Sequence, residues 1–245
     1  MTDQATNLPA VNVYPPAGGA SASAGYWSSA LAGTTSGDFA GPLSDHEGPI
    51  EDDPEGDPEF EAVYLFLAWN PYFLKLTQNV QNIVLSDRAL SIQLTAFLKG
   101  GGMIMVLPNL AAQAQYNAGI IEIRQDVIDN ASSNFDAAKY AATLLVHEMG
   151  HSLDTRPYVS NSPDQTAEWY LHGEVLAGLY QLLHWHISRG VTGVTAGDYN
   201  YGYSGMYLNF MSHQNLDQLL DEMKAQFRTH RPEQMQKWRD LYQPQ

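Results

Sequence analysis

The sequence predicts an α+β fold: a mainly helical domain with a small sheet over residues 59–245, behind an N-terminal segment, residues 1–58, expected to be disordered. Three observations carry this expectation. Residues 1–61 hold 11 acidic side chains and no Lys or Arg, the first basic residue being Lys75. Beyond them apolar residues recur at helical spacing, as at Leu90, Leu94 and Leu98. Two short apolar stretches, Met103–Leu107 and Gly119–Arg124, read instead as strands, the second by its late alternation.

The head is rich in Gly, Pro, Ala, Ser and Asp, with an acidic cluster at Glu51–Glu61. Such a segment cannot bury enough apolar surface to offset its ordering entropy. It reads as a tail or linker, or more sharply as an export, chaperone-binding or inhibitory segment, with His46 as a candidate inhibitory ligand. Folding is expected to begin near Phe60. Ala62–Asn70 is a helix or strand stopped by Pro71. Pro71–Leu85 and Ala89–Lys99 show helical spacing, and Gly100–Gly102 interrupts the chain before the first strand. After the second strand, Ser132 or Ser133 is placed to cap a helix running from near Phe135 through Asp154. Residues 155–165 are a loop punctuated by Pro157 and Pro163. A helix follows from about Thr166 to Ser188, closed by Gly190. Residues 191–212 are irregular, and Asn215–His230 and Pro232–Tyr242 are amphipathic helices.

The charge distribution excludes some functions. The head carries −11 of the −15 formal charge, leaving the remainder only mildly acidic. Nucleic acid is not an expected partner, because phosphate binding needs clustered Lys and Arg. The basic residues between Lys224 and Arg239 alternate with acids, as on a solvated helix face. There is no cysteine, hence no disulfide framework and no thiolate chemistry. The N-terminus lacks a basic n-region and an apolar h-region, so a secretory signal peptide is not expected. Ala62–Trp69, the longest strongly apolar stretch, is too short to span a bilayer.

The stretch most informative about chemistry is Leu144–Asp154, containing His147, Glu148 and His151. Residues four apart on a helix share a face, so His147 and His151 aim their imidazoles at one spot, as two ligands of a single zinc must. Glu148 projects beside them, able to reach a water on the metal without being a ligand. The bland alternative is a solvated helix carrying two histidines by chance. The apolar flanks Leu144, Leu145, Val146 and Leu153 oppose it, since a buried His-Glu-His cluster without metal would be costly. Gly150 leaves room for another element to come close.

The segment resembles the active-site helix of the zincin metallopeptidases, whose motif is His-Glu-x-x-His. The resemblance covers roughly Gly119–Gly190, and in it the strand at Gly119–Arg124 corresponds to the family's substrate-binding edge strand. The third ligand decides the subgroup. The metzincin pattern needs Gly and His where this chain has Asp154 and Pro157, which excludes that subgroup. The glutamate-liganded gluzincins take their third ligand from a later helix, and Glu174 fits best, with the small Ala177 and Gly178 following on its face. Its competitors are Glu168, favoured near a helix start in any case, His172, which shares a face with Val175, Leu176 and Leu179 as a core histidine would, and Asp198 in a tyrosine-rich loop. Asp154 is a candidate partner of His151, or simply a polar helix end.

The resemblance implies a Zn2+-dependent hydrolysis of peptide bonds, with Glu148 taking a proton from water on the metal and passing it to the leaving amine. A further donor to the oxyanion is expected, and Tyr199, Tyr201, Tyr203, Tyr207 and His213 are candidates, each also readable as a packing or surface residue. Two other classes compete. One is a zinc-stabilised binding protein without catalysis. The other is a di-iron carboxylate protein, disfavoured because Glu168 and His172 are one residue too far apart to complete its second Glu-x-x-His pair. A zincin of this size with an acidic head is similar to bacterial effector or toxin metallopeptidases. That similarity implies secretion by a signal-peptide-independent route, with a cytoplasmic peptidase as the alternative. The implied partners are a protein or peptide substrate, secretion machinery, and a cognate inhibitor or immunity protein.

Overall fold

A computed structural model describes residues 58–158, 160–184, 187 and 216–243. The expected disordered head, His46, the candidates Asp198, Tyr199, Tyr201, Tyr203, Tyr207 and His213, and the expected closure at Gly190 lie outside the described residues. The described part is mostly helical, with eight α-helices and a three-stranded sheet.

Three helices open the fold: α1 (Pro58–Trp69), α2 (Gln78–Ser86) and α3 (Arg88–Lys99), with a 3-10 turn at Phe73–Lys75. The helical alternative therefore holds for the apolar stretch before Pro71, and the first described helix starts close to the expected Phe60. Asp87 separates α2 from α3 and caps α3, its side chain accepting from the Leu90 N–H at 2.9 Å. Leu90, Leu94 and Leu98, the predicted stripe, are buried.

The sheet contains β1 (Met103–Leu107), β2 (Ala114–Asn117) and β3 (Ile120–Arg124) in the order β1-β3-β2. β3 is parallel to β1 and antiparallel to β2. The β2–β3 hairpin turns on Ala118 and Gly119, both at positive φ, 47° and 88°. That conformation twists with the flanking strands. The strand expected at the sheet edge is therefore its centre: among the described residues β1 and β2 are the edges, each paired with β3.

α4 (Gln125–Ser133) follows directly, and α5 (Phe135–Ser152) begins after Asn134, whose side chain accepts from the Ala137 N–H at 3.2 Å. Asn134 is thus the cap expected at Ser132 or Ser133, both of which lie in the last turn of α4. α5 stops at Ser152, two residues before the expected Asp154. From Ala141 to Gly150 every residue of α5 is buried, and the helix packs against α2, α4, α6 and the sheet. α6 (Pro163–Leu183) starts earlier than expected, with Pro163 at its first position, where a missing N–H costs nothing. α7 (Leu216–His230) and α8 (Pro232–Asp240) pack on α6.

Two apolar cores result. The larger joins α1–α5 and the sheet through Leu67, Phe73, Leu90, Ile121, Ile123 and Leu145. The smaller joins α6, α7 and α8 through Leu171, Leu179, Leu219, Met223 and Trp238. Among the described residues no helix is long and apolar enough to cross a membrane.

Candidate metal centre and catalytic cleft

The two histidines of α5 stand one turn apart with ring centroids 4.9 Å apart and planes nearly perpendicular. α6 crosses over them because α5 presents no side chain at Gly150, where the Ala177 backbone packs in. That crossing delivers Glu174. Its Oε2 lies 3.6 Å from His147 Nε2, and its Oε1 lies 3.8 Å from His151 Nε2. Donor atoms of the three side chains lie within 4.8 Å of one another, and among the described residues this is the group that could hold a metal ion.

The donor set suits a zinc ion. A tetrahedral ion with bonds of about 2.0–2.2 Å separates its donors by about 3.4 Å, so both histidine–carboxylate distances need only a small contraction. Two neutral imidazoles and one carboxylate leave one coordination position open, the pattern of a catalytic rather than a closed site.

Charge at the cluster follows from burial. Desolvation pulls His151 down to about 4, keeping it neutral and able to bind metal. Burial alone would raise the Glu174 carboxyl, but its hydrogen bond with His147 and the charges of both histidines outweigh this and bring it to about 2. Burial likewise opposes a charged His147, yet the hydrogen bond to Glu174 and the nearby Glu148 leave the ring above its ordinary value. Glu148 is not one of the three. Buried at 5 % exposure, it has its carboxyl pushed up to about 7 by desolvation, only partly countered by His147 and a backbone hydrogen bond from Tyr116.

The cluster lines a cleft of about 490 Å³. Ala114 and Tyr116 of β2 form one side, so the edge strand that borders the site is β2 rather than Gly119–Arg124. Trp169 and Tyr170 of α6 and Trp238 of α8 form another. Tyr170 stacks on Trp238, and Trp169 meets Tyr170 edge to face.

Asp154 and His151 both border Gly173 of α6. A Cβ added to Gly173 would touch both Asp154 Oδ2, at 3.4 Å, and His151 Nδ1, at 3.7 Å. The Asp154 carboxylate is itself held by Arg156, through Nε at 2.8 Å and a terminal nitrogen at 2.7 Å, and Arg156 also donates to the Trp169 carbonyl. Arg156 was not singled out by sequence, although an acid two residues before it is a short-range signal for such a clamp.

The competitors for the third ligand are occupied elsewhere or lie apart. Glu168 is exposed and accepts two hydrogen bonds from Arg228. His172 is half-buried, outside the cluster, and desolvation lowers it to about 4. No family model, no curated protein and no solved structure matches this chain.

Proposed function

We propose that the chain is a zinc-dependent metallopeptidase of the zincin type, with His147, His151 and Glu174 holding the ion and Glu148 as proton acceptor. The observation that carries this reading is the meeting of two histidines and a glutamate from separate helices beside a fourth, buried carboxyl. When bound, zinc supplies a Lewis acid at its open position, polarising a carbonyl and acidifying a water. Glu148 takes the proton of the attacking water and returns it to the leaving amine. Its raised affinity for protons suits that exchange near neutrality, and a cation at the triad would draw the value down.

A peptide substrate is favoured by β2. An edge strand beside the reacting groups offers main-chain donors and acceptors to an extended chain, the β-augmentation mode of recognition. The aromatic side of the cleft supplies apolar contact for side chains. The setting of a secreted effector acting on a protein target belongs to the same proposal, by the resemblance of the motif and acidic head to those of effector peptidases.

The test is zinc content per chain by elemental analysis, on wild type beside Glu174→Ala, followed by cleavage of a fluorogenic peptide library. One zinc in wild type, lost or loosened in the variant, is the expected result. A wild-type chain that takes up no zinc sinks the proposal, and a zinc-loaded chain that cleaves nothing reduces it to a zinc-stabilised binding protein.

A further inference from the structure

Tyr170 lies four residues before Glu174 on α6, so the two share a face, about 5.4 Å apart along the helix axis. Its ring thus stands one turn from the third donor, on the wall of the same cleft. Tyr170 is half-buried, and so is its neighbour Trp169. Their ring centroids are 5.1 Å apart with planes at 88°. Tyr158, 38 % exposed, meets Trp169 in the same way, at 5.1 Å and 88°. All three residues border the cleft.

Helix α8 supports this wall. Trp238 is 6 % exposed and stacks on two rings, Tyr170 at 6.0 Å and 16° and Phe227 of α7 at 5.3 Å and 14°. The end of α8 is tied to the start of α6 by Arg239, whose Nε donates to Asp164 at 2.7 Å. The Tyr242 hydroxyl adds a second tie, donating to the Asn161 carbonyl at 3.2 Å. Rings fixed in this way lose little freedom when a ligand arrives, so the wall is preorganised.

Rings that meet at right angles form a corner that fits a flat guest. An aromatic side chain laid against one ring face meets the other ring edge-on, and both arrangements are favourable beyond the area they bury. A branched aliphatic side chain gains only the area. The distance from the metal point sets which residue of the substrate arrives there. Successive side chains of an extended peptide point to opposite sides about 3.3 Å apart. A wall one turn from Glu174 is therefore reached by the side chain of a residue flanking the scissile bond.

We propose that Trp169 and Tyr170, held by Trp238 of α8, determine specificity and select a substrate with an aromatic side chain next to the scissile bond. Trp238 is a positioning residue, acting through Tyr170. The inference rests on the zinc reading above and deepens it by naming a substrate class.

The test uses the hydroxamates of alanine, leucine and phenylalanine, which bind zinc through the hydroxamate group and differ in the side chain beside it. Affinities for the zinc-loaded protein are read by calorimetric titration. Phenylalanine hydroxamate is expected to bind about 10–200-fold more tightly than the alanine compound. Its advantage over the leucine compound should be about 2–10-fold. Tyr170→Ala should cut the phenylalanine-to-alanine ratio about tenfold, whereas Tyr170→Phe should keep it. Trp238→Leu should lower the ratio as well. A merely structural role would weaken both compounds alike and leave the ratio unchanged, and zinc affinity by chelator competition checks the metal centre of each variant. Equal affinity for the leucine and phenylalanine compounds, or a ratio that Tyr170→Ala does not move, would overturn the inference and leave the zinc proposal standing. Should Trp238→Leu not fold, Tyr170→Ala decides alone. A wild type that binds no zinc overturns both.

Discussion

Gly150 and Ala177 are packed so closely that a Cβ added to Gly150 would lie 2.5 Å from the Ala177 Cα and 3.0 Å from the Tyr180 Cβ. The obstructing atoms are backbone or backbone-attached, so they cannot swing aside as a side-chain tip would. Glu174 lies one turn before Ala177 on α6, and His147 and His151 flank Gly150 on α5. The contact that brings the helices together is therefore the one that brings the third donor to the first two.

Gly150→Ala should accordingly part the helices. Overpacking of this kind costs about 1–3 kcal/mol or more, read by denaturant unfolding, and zinc uptake should weaken as well. Gly173→Ala is the control on the other helix. The added methyl there meets Asp154 and His151 only at ordinary contact distance, and helix propensity favours Ala by up to about 1 kcal/mol. Equal effects of the two substitutions would contradict the close-packing account.

Glu148 makes stability pH-dependent in the metal-free chain. Its carboxyl rises from an ordinary 4.5 to about 7 on folding, so the folded state holds this proton more tightly than the unfolded state. The associated stability is fully present below pH 4.5 and is lost as pH rises through about 7. At 1.36 kcal/mol per pKa unit the loss is about 3 kcal/mol. Glu148→Gln mimics the protonated side chain and carries no such titration. It should match wild type at low pH and exceed it by up to about 3 kcal/mol above pH ~8, in chelator. Parallel stability curves for the two proteins would refute the burial effect. Loaded with zinc, the same variant should keep the ion and lose hydrolysis.

How much of this was legible in the sequence depends on the range of the interaction. Helix α5 and its pair of histidines were readable because the cause is local: residues four apart share a face, and Leu144, Leu145 and Val146 mark burial. Glu174 was readable only as the best of several acids. What separates it from Glu168 is long-range packing: the crossing of α5 and α6 delivers Glu174, while α7 packed on α6 holds Glu168 through Arg228. β2 was missed because its turn places Ala118 at positive φ, where Asn, Asp or Gly would have announced a hairpin. Without β2, β3 was read as the edge strand. α4 was missed because Val127, Ile128, Asn130, Ser132 and Ser133 are indifferent helix formers. Its amphipathic face is held by packing under α5, not by propensity.

The pair Asp87–His184 is a buried polar tie outside the site. Asp87 uses one carboxylate oxygen to cap α3 and places the other 2.6 Å from His184 Nδ1, both side chains being about 95 % buried. The tie fastens the end of α6 to the α2–α3 junction. Asp87→Ala removes the cap and the charge facing a buried ring together, and breaking such a pair costs about 3–5 kcal/mol. Asp87→Asn keeps a cap acceptor and should cost clearly less. Thermal or denaturant unfolding of both variants in chelator reads the difference, and an Asp87→Ala protein as stable as wild type would rule the tie out.

Asp154 and Arg156 give a prediction for the metal itself. Asp154 Oδ2 and His151 Nδ1 both border Gly173, and Nδ1 is the nitrogen away from Glu174, whose contact is with Nε2. A carboxylate there favours a proton on Nδ1 and a lone pair on Nε2, the form a metal requires. Its side chain is only 7 % exposed and is held from behind by Arg156. Asp154→Ala should therefore lower zinc affinity about 10–100-fold, with unfolding of the metal-free chain much less affected than by Asp87→Ala. Arg156→Met keeps the carboxylate but frees it to turn, and should weaken zinc binding by less than Asp154→Ala. If Arg156 served only to anchor the loop to the Trp169 carbonyl, Arg156→Met would lower stability and leave zinc affinity unchanged. Chelator competition on the two variants, beside their unfolding curves, separates a carboxylate that orients the ligand from one that merely ends the helix.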